Sequence, residues 1–309
     1  MFLYVLSRIA RALITVALII TLAFVILRMT GDPATIILGP DAPPEAYEAF
    51  RRNWGLDQPL FIQYLSYFAA ILKGDLGQSM RDGRAALDVV MERVPLTLLL
   101  TVPALLFNLV IGITAGIFAA LNRNSWIDRA IMTASVTGFT VPSFVMGLVL
   151  ALIFAVKLKV LPSGGSETWQ HTILPSVTMG LIGAAIIARF TRSAMLEVLG
   201  QPYIRTASAK GLNWTDVVIQ HALPNAAIPT LTIIGFMIGS LVAGAVVVES
   251  IFSWPGVGRL LVGAVANRDL AVVQVILILI GFTMVLANLI VDLAYGVIDP
   301  RLRHSTPAK

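Results

Sequence analysis

Six long apolar runs recur along this chain, separated by charged segments. They cover Ala12–Leu27, Pro95–Leu121, Ala130–Val156, Ile173–Ala188, Ala226–Val248 and Leu270–Ile298. A helix crossing the hydrocarbon core of a bilayer needs about 20 apolar residues. The first run approaches that length with Ile9 and Ala10, and the fourth with Thr172 and Arg189 at its edges. Only 13% of residues are charged, against about 25% in an average soluble domain. The expected fold class is an all-α integral membrane protein with six transmembrane helices. A cleaved signal peptide competes for the first run, but the run is long for that purpose and no A-x-A-like site follows it.

An even number of spans puts both termini on one side, and the basic residues choose the side. Arg8, Arg11, Arg123, Arg129, Arg189, Arg192, Arg205, Lys210, Arg301, Arg303 and Lys309 fall on the side of the termini. The two short loops opposite carry only Lys157, Lys159, Arg259 and Arg268. Cytoplasmic loops concentrate Lys and Arg, so N- and C-termini are expected in the cytoplasm. This divides the chain into an N-terminal transmembrane helix (1–29), an extracytoplasmic segment (30–94), a core of five further spans (95–298) and a cytoplasmic tail (299–309). Within 30–94, Pro43-Pro44-Glu45 opens a short helix that Gly55 ends. Pro59–Lys73 then forms an amphipathic helix stopped by Gly74. That helix is read either as lying on the membrane surface or as part of a small packed cap. Pro142 is expected to kink the third span.

Several functions are excluded or unsupported. The chain has no cysteine, hence no disulfide and no thiolate metal site, and His171, His221 and His304 show no metal-ligand spacing. No metal site is expected, and the net charge of +5 reads as topology and not as nucleic-acid binding. A nucleotide-binding P-loop needs Gly-Lys, and none of the five lysines follows a glycine. An ion-coupled carrier places carboxylates near mid-bilayer. Spans one to five have no interior acid, and Asp292, toward the inner end of the sixth, reads as interfacial. Asn108 and Asn288 are expected to hydrogen-bond between helices. No internal repeat, charge ring or carbonyl filter is visible.

The longest polar stretch in the second half is Tyr203–Asn225. It reads as helix, turn, helix, stop. Ile204–Lys210 has good helix formers, Gly211 is suited to the left-handed conformation that ends a helix, and Asn213 is an N-cap candidate with Asp216 in the first turn. Pro224 is expected to close the segment. Two short helices folded onto the inner membrane face make a knob another protein could push. The plainer alternative is a basic loop that only sets orientation.

The spacing of Ala207, Gly211, Leu223 and Pro224 resembles the signature loop of ATP-binding-cassette (ABC) importer permeases. Arg205 stands where the widespread form of that motif begins with Glu, which is similar to the peptide-permease branch. Further segments carry the same resemblance to the first permease subunit of dipeptide/oligopeptide importers. They are Gly31–Ala34, Trp54–Tyr64, Gly74–Ser79, Val141–Gly165, Ala188–Leu199, Val246–Leu261 and Asn288–Arg301. The resemblance implies a type I ABC importer permease fold and a non-catalytic subunit of the bacterial inner membrane. It implies a second homologous permease, two ATPase subunits that bind ATP and Mg, and an extracytoplasmic binding protein, with no cofactor in this chain. It further implies that Arg205, Ala207, Gly211, Leu212, His221, Leu223 and Pro224, in a loop taken as 190–225, couple to the ATPase. Glu249, Phe252, Trp254, Pro255, Gly256 and Gly258 would form an outer re-entrant turn near the gate or binding protein; a simple Pro-Gly hairpin is the alternative. Di- and oligopeptides are the implied substrates. Nickel chelates, glutathione and haem are alternatives within the family, and an ion-coupled carrier or a membrane scaffold are alternatives outside it.

Overall fold

The computed structural model describes residues 13–22, 24–25 and 32–298. In chain order the helices are α1 (Leu13–Leu22), α2 (Pro33–Ile37), α3 (Pro44–Asn53), α4 (Leu60–Leu72), α5 (Ala86–Met91) and α6 (Val94–Leu121). They continue with α7 (Trp126–Thr140), α8 (Ser143–Ala151), α9 (Ile173–Leu199), α10 (Pro202–Ala209), α11 (Trp214–Asp216), α12 (Leu223–Gly239), α13 (Val246–Ile251), α14 (Val257–Ala266) and α15 (Leu270–Ile298). Short π-helical turns at Leu152–Lys157 and Val217–Ala222 extend α8 and join α11 to α12. Among the described residues, four helical stretches are long and apolar enough to cross a membrane, and a fifth is counted if α7 and α8 together form one bent span. Of the first expected span, residues 12, 23, 26 and 27 lie outside the described residues. So does the side chain of Asp292, on the last turns of α15.

The chain forms two compact units. The first is Leu98–Trp254 with the part of α15 from Thr283 onward. Its centre is α9. Thirteen of that helix's 27 residues are buried, from Leu174 to Met195, so it is wrapped by protein where most of the other spans present a face outward. Glycines let α6 lie almost backbone to backbone against it. A Cβ on Gly112 would stand 2.7 Å from Ile187 Cβ, and one on Gly116 2.7 Å from the Ala188 carbonyl oxygen. Small residues at i and i+4 are the usual means of close helix approach in lipid, where no hydrophobic force pulls helices together. The Asn108 side chain fills the same seam. In the amide orientation that satisfies both its atoms, it donates to the Gly180 carbonyl of α9 at 2.6 Å, an interhelical bond as expected from sequence. On α12, Gly235 and Gly239 admit Val291 and Ala287 of α15.

Two prolines act differently from the sequence expectation. At Pro142 the chain does not merely kink: α7 and α8 meet at 102°. Val141 has ψ 122° and Pro142 ψ 143°. A residue before proline is pushed out of the helical region, and here two successive extended residues turn the chain. Pro224, expected as a stop, lies inside one continuous helix from Trp214 to Gly239. The π turn just before it supplies the reason. Leu223 N–H reaches back five residues to the Val218 carbonyl, which widens the turn where the proline ring would otherwise strike the carbonyl four residues back. The Asn225 amide then donates to the His221 carbonyl at 2.7 Å. The fifth expected span also ends early, at Gly239, and α13 follows after a 3-10 turn at Ala243–Ala245. Conversely, the fourth runs past Ala188 to Leu199.

The second unit comprises the described part of Phe2–Thr97 with Pro255–Phe282. Helices α3 and α4 end where glycine was expected to end them, with Gly55 at φ +62° and Gly74 at φ +82°. Helix α4 packs on α1 through the Thr21–Tyr64 hydrogen bond, and beyond α1 Phe24 lies edge-on to Tyr64 at 5.4 Å and stacks with Tyr67 at 6.1 Å. Buried Asp269 accepts the Ser79 hydroxyl and thereby pins the turn after Gly77 to the start of α15. Thr97 Oγ1 accepts from the Val257 amide at 2.8 Å, fixing the start of α14. Arg81, Arg93, Arg259, Asn267 and Asp269 line part of a cavity of about 420 Å³ beside these contacts.

Candidate functional site

The polar stretch after α9 folds into a small projecting knob. Pro202 begins α10 in the position where a missing N–H costs nothing. The helix closes with Lys210 N–H bonding the Thr206 carbonyl and Gly211 N–H the Ser208 carbonyl. Gly211 then takes φ +84°, the left-handed conformation expected of it. The expected helix Ile204–Lys210 is thus seen as Pro202–Ala209. Asn213 occupies the N-cap position with extended backbone, but its side chain makes no capping bond. The second helix of the knob is the N-terminal end of the long Trp214–Gly239 helix and not a separate short one.

Ile204 and Ala207 point inward, i and i+3 on one face of α10. They join Val217, Val218 and Ala222 of the π turn in a buried cluster with Ala194 and Met195 of α9, Ala120 of α6 and Ala226 of α12. Arg205, Gly211 and Leu212 are exposed, as is Pro224; His221 and Leu223 are half-buried, with Leu223 against the cluster. Four large apolar groups also stand in solvent around the knob: Tyr203, Leu212, Trp214 and Ile219, with Trp214 55% exposed. Partial burial of its hydroxyl raises the pKa of Tyr203. A rigid base with aromatic and aliphatic tips has the composition of a protein-docking surface, where aromatic residues and Arg are enriched.

The base is braced by a pair that reading the sequence missed. Asp128 near the start of α7 takes two parallel bonds from Arg192 of α9, Nε–Oδ1 at 2.6 Å and Nη2–Oδ2 at 2.7 Å. Asp128 is buried and also accepts the Asn124 amide, while Ser125 caps the helix by accepting from Asp128 N–H. The two residues are 64 apart, and in the sequence Arg192 reads only as one of the basic residues on the side of the termini. The capping pattern Ser125 to Asp128 was the available local signal.

The six residues of the expected outer turn divide between the two units. Glu249, Phe252 and Trp254 belong to the first and are all but fully buried. Phe252 fills a socket with Leu174 of α9 and Val248 of α13, edged by Leu150 and Phe154. The backbone here doubles back sharply: Trp254 N–H bonds the Glu249 carbonyl at 2.8 Å, and Ser253 has φ +51°. Gly164 of the loop after α8 abuts it, since a Cβ there would stand 2.6 Å from the Phe252 carbonyl oxygen. Gly165 N–H donates to that same oxygen at 2.9 Å. Pro255, Gly256 and Gly258 belong to the second unit, where the Pro255 carbonyl accepts from Arg93 at 3.4 Å and Gly256 is the N-cap of α14.

Multiple apolar helices around a buried α9 give the architecture of a membrane-embedded subunit, and similarity supplies its class. Residues 112–304 match the family of binding-protein-dependent transport system inner membrane components, and residues 1–101 match the N-terminal region of such membrane components. The chain belongs to this family and is a permease of an ABC importer. It is 43% identical over 302 residues to the glutathione transport system permease protein GsiC of Escherichia coli O6:H1, covering 97% of this chain and 99% of that one. The namesake of Shigella dysenteriae serotype 1 is 42% identical with the same coverage. The fold is shared with a solved amino acid ABC transporter structure at a TM-score of 0.51, 18% identity, and coverage of 67% of this chain and 92% of that one.

Proposed function

We propose that this chain forms half of a translocation pathway for di- and oligopeptides handed over by an extracytoplasmic binding protein. A second, homologous permease supplies the other half. Two separate ATPase subunits bind ATP and Mg on the cytoplasmic side, where both termini of this chain also lie. Their closure pushes the knob at Arg205–Pro224, and the helices behind it tilt between inward- and outward-open states. The observation that carries this reading is the knob itself, apolar-tipped, exposed and seated on α9. The extracytoplasmic side is assigned to 30–94 and to the turn around Phe252, which stands near the gate.

Glutathione is a short peptide, so the relatives that carry its name favour it as one substrate of this chain within the peptide class. The test is uptake of labelled glutathione and of labelled dipeptides by cells expressing the complete importer. ATP depletion stops uptake, while an uncoupler leaves it intact. Uptake abolished by the uncoupler at normal ATP marks an ion-coupled carrier and refutes the proposal.

A further inference from the structure

Helices α3 and α4 follow each other in the 30–94 segment yet have opposite surfaces. Helix α3 exposes Glu45, Glu48, Arg51 and Arg52, the surface of a helix in water. Helix α4 has no charged residue among its thirteen. It exposes Leu60, Phe61, Ile62, Leu65 and Leu72, from 46% to 83%. Its other face carries Tyr64, Tyr67 and Phe68 and is already occupied by α1. A helix apolar on both faces is stable only when both are covered.

The contacts with α1 fix where along the first apolar run α4 sits. The Tyr64 hydroxyl hydrogen-bonds Thr21 at 2.8 Å. Thr21 lies six residues before Leu27, where the run ends. The Tyr64–Thr21 bond therefore holds α4 against the apolar run itself and not against a polar flank. Helices lying in the membrane plane bury their apolar face about 5–10 Å into the headgroup and acyl boundary. Helix α1 itself shows a lipid-type face at Ile14, Leu18 and Leu22, each exposed and on one helical stripe. Helix α4 thus lies beside a helix with a lipid-type face and carries an exposed apolar face of its own.

We propose that α4 is a membrane-interface helix whose Phe61–Leu65–Leu72 face is covered by the acyl chains of the leaflet next to the 30–94 segment. The 30–94 segment is then anchored in that leaflet instead of standing clear as a soluble cap. This placement holds whatever the substrate.

The natural absence of cysteine makes the test direct. Single cysteines at Phe61→Cys, Leu65→Cys and Leu72→Cys are spin-labelled in the full-length chain, purified with its copurifying subunits in lipid nanodiscs. Ser66→Cys and Ala69→Cys, small-for-small changes at exposed positions of α4, serve if the larger ones impair folding. Glu45→Cys and Glu48→Cys on α3 are the aqueous reference. Power saturation with oxygen and with a water-soluble nickel chelate reports what each label meets. Labels on α4 collide with oxygen several-fold more readily than with nickel, and those on α3 show the reverse. Nickel access on α4 equal to that on α3 places the face in water and overturns the proposal. Shielding of α4 from both reagents shows a protein partner on that face and overturns it equally.

Discussion

Substitution of Gly211 isolates the conformation of the knob from its packing. Gly211 has φ +84°, and a Cβ built there meets nothing within 4 Å. A new side chain therefore brings conformational strain without a clash. That strain is about 1–2 kcal/mol for Ala, more for a β-branched residue, and less for Asn, which tolerates left-handed backbone. The strain has one place to relax. Trp214 opens a helix of 26 residues, so α10 must shift. Against it stands the burial of Ile204, about 1.5–3 kcal/mol. Gly211→Ala loosens α10 slightly, whereas Gly211→Val nearly balances the two terms and loosens it most. The chain still inserts, because the knob lies outside the spans. If the knob is the coupling element, a 1 kcal/mol loss in docking lowers ATPase affinity about fivefold. The assay is ATP hydrolysis by reconstituted importer with and without substrate-loaded binding protein, alongside uptake. Stimulation falls in the order Gly, Asn, Ala, Val at unchanged membrane levels. Full stimulation and full uptake by Gly211→Val would refute the coupling role. An order set by side-chain volume would refute the conformational cause.

Three further outcomes are expected. Asp128→Asn leaves Arg192 without its counter-charge and destabilises the solubilised complex by about 3 kcal/mol; Asp128→Asn with Arg192→Gln costs less than the two single changes summed, and a simple sum in thermal melts would show the pair to be unimportant. Gly116→Ala puts a methyl 2.6 Å from Thr191 Cβ and costs about 1–3 kcal/mol by overpacking, with Gly116→Leu failing to accumulate. Gly263→Ala, at a site with nothing within 4 Å, accumulates normally, and equal yields of monodisperse protein for all three would contradict the close α6–α9 approach. Gln58→Cys, at an exposed position, is labelled by an impermeant thiol reagent in intact cells; labelling only after lysis would invert the topology.

Much of the helical layout was legible because it rests on local chemistry. Apolar runs located the long helices, and Gly55, Gly74 and Gly211 ended theirs because each end needs a positive φ that glycine tolerates. What was hidden depends on residues distant in sequence or on register. A proline in sequence announces a missing donor, but not whether a π turn upstream accommodates it, as at Pro224, or whether two extended residues double the chain back, as at Pro142. The Asp128–Arg192 brace required knowing that α7 and α9 run side by side. Phe252 and Trp254 were noticed as turn residues, yet the fold uses them as core, because the loop at Gly164 closes over the backbone that carries them.

Helix α9 joins two places that the sequence keeps far apart. Leu174 near one end holds the Phe252 socket, and Met195 near the other supports α10. The 21 residues between them span about 32 Å of unbroken helix. Such a rod behaves as a lever: one degree of tilt displaces one end by about half an ångström relative to the other over that length. Its closest contact with α6 is at Gly112 and Gly116, against Ile187, Ala188 and Thr191, nearer the Met195 end than the Leu174 end. Rotation about that contact, about 12 Å from Met195 and about 20 Å from Leu174, would move the Leu174 end further than the Met195 end and in the opposite direction.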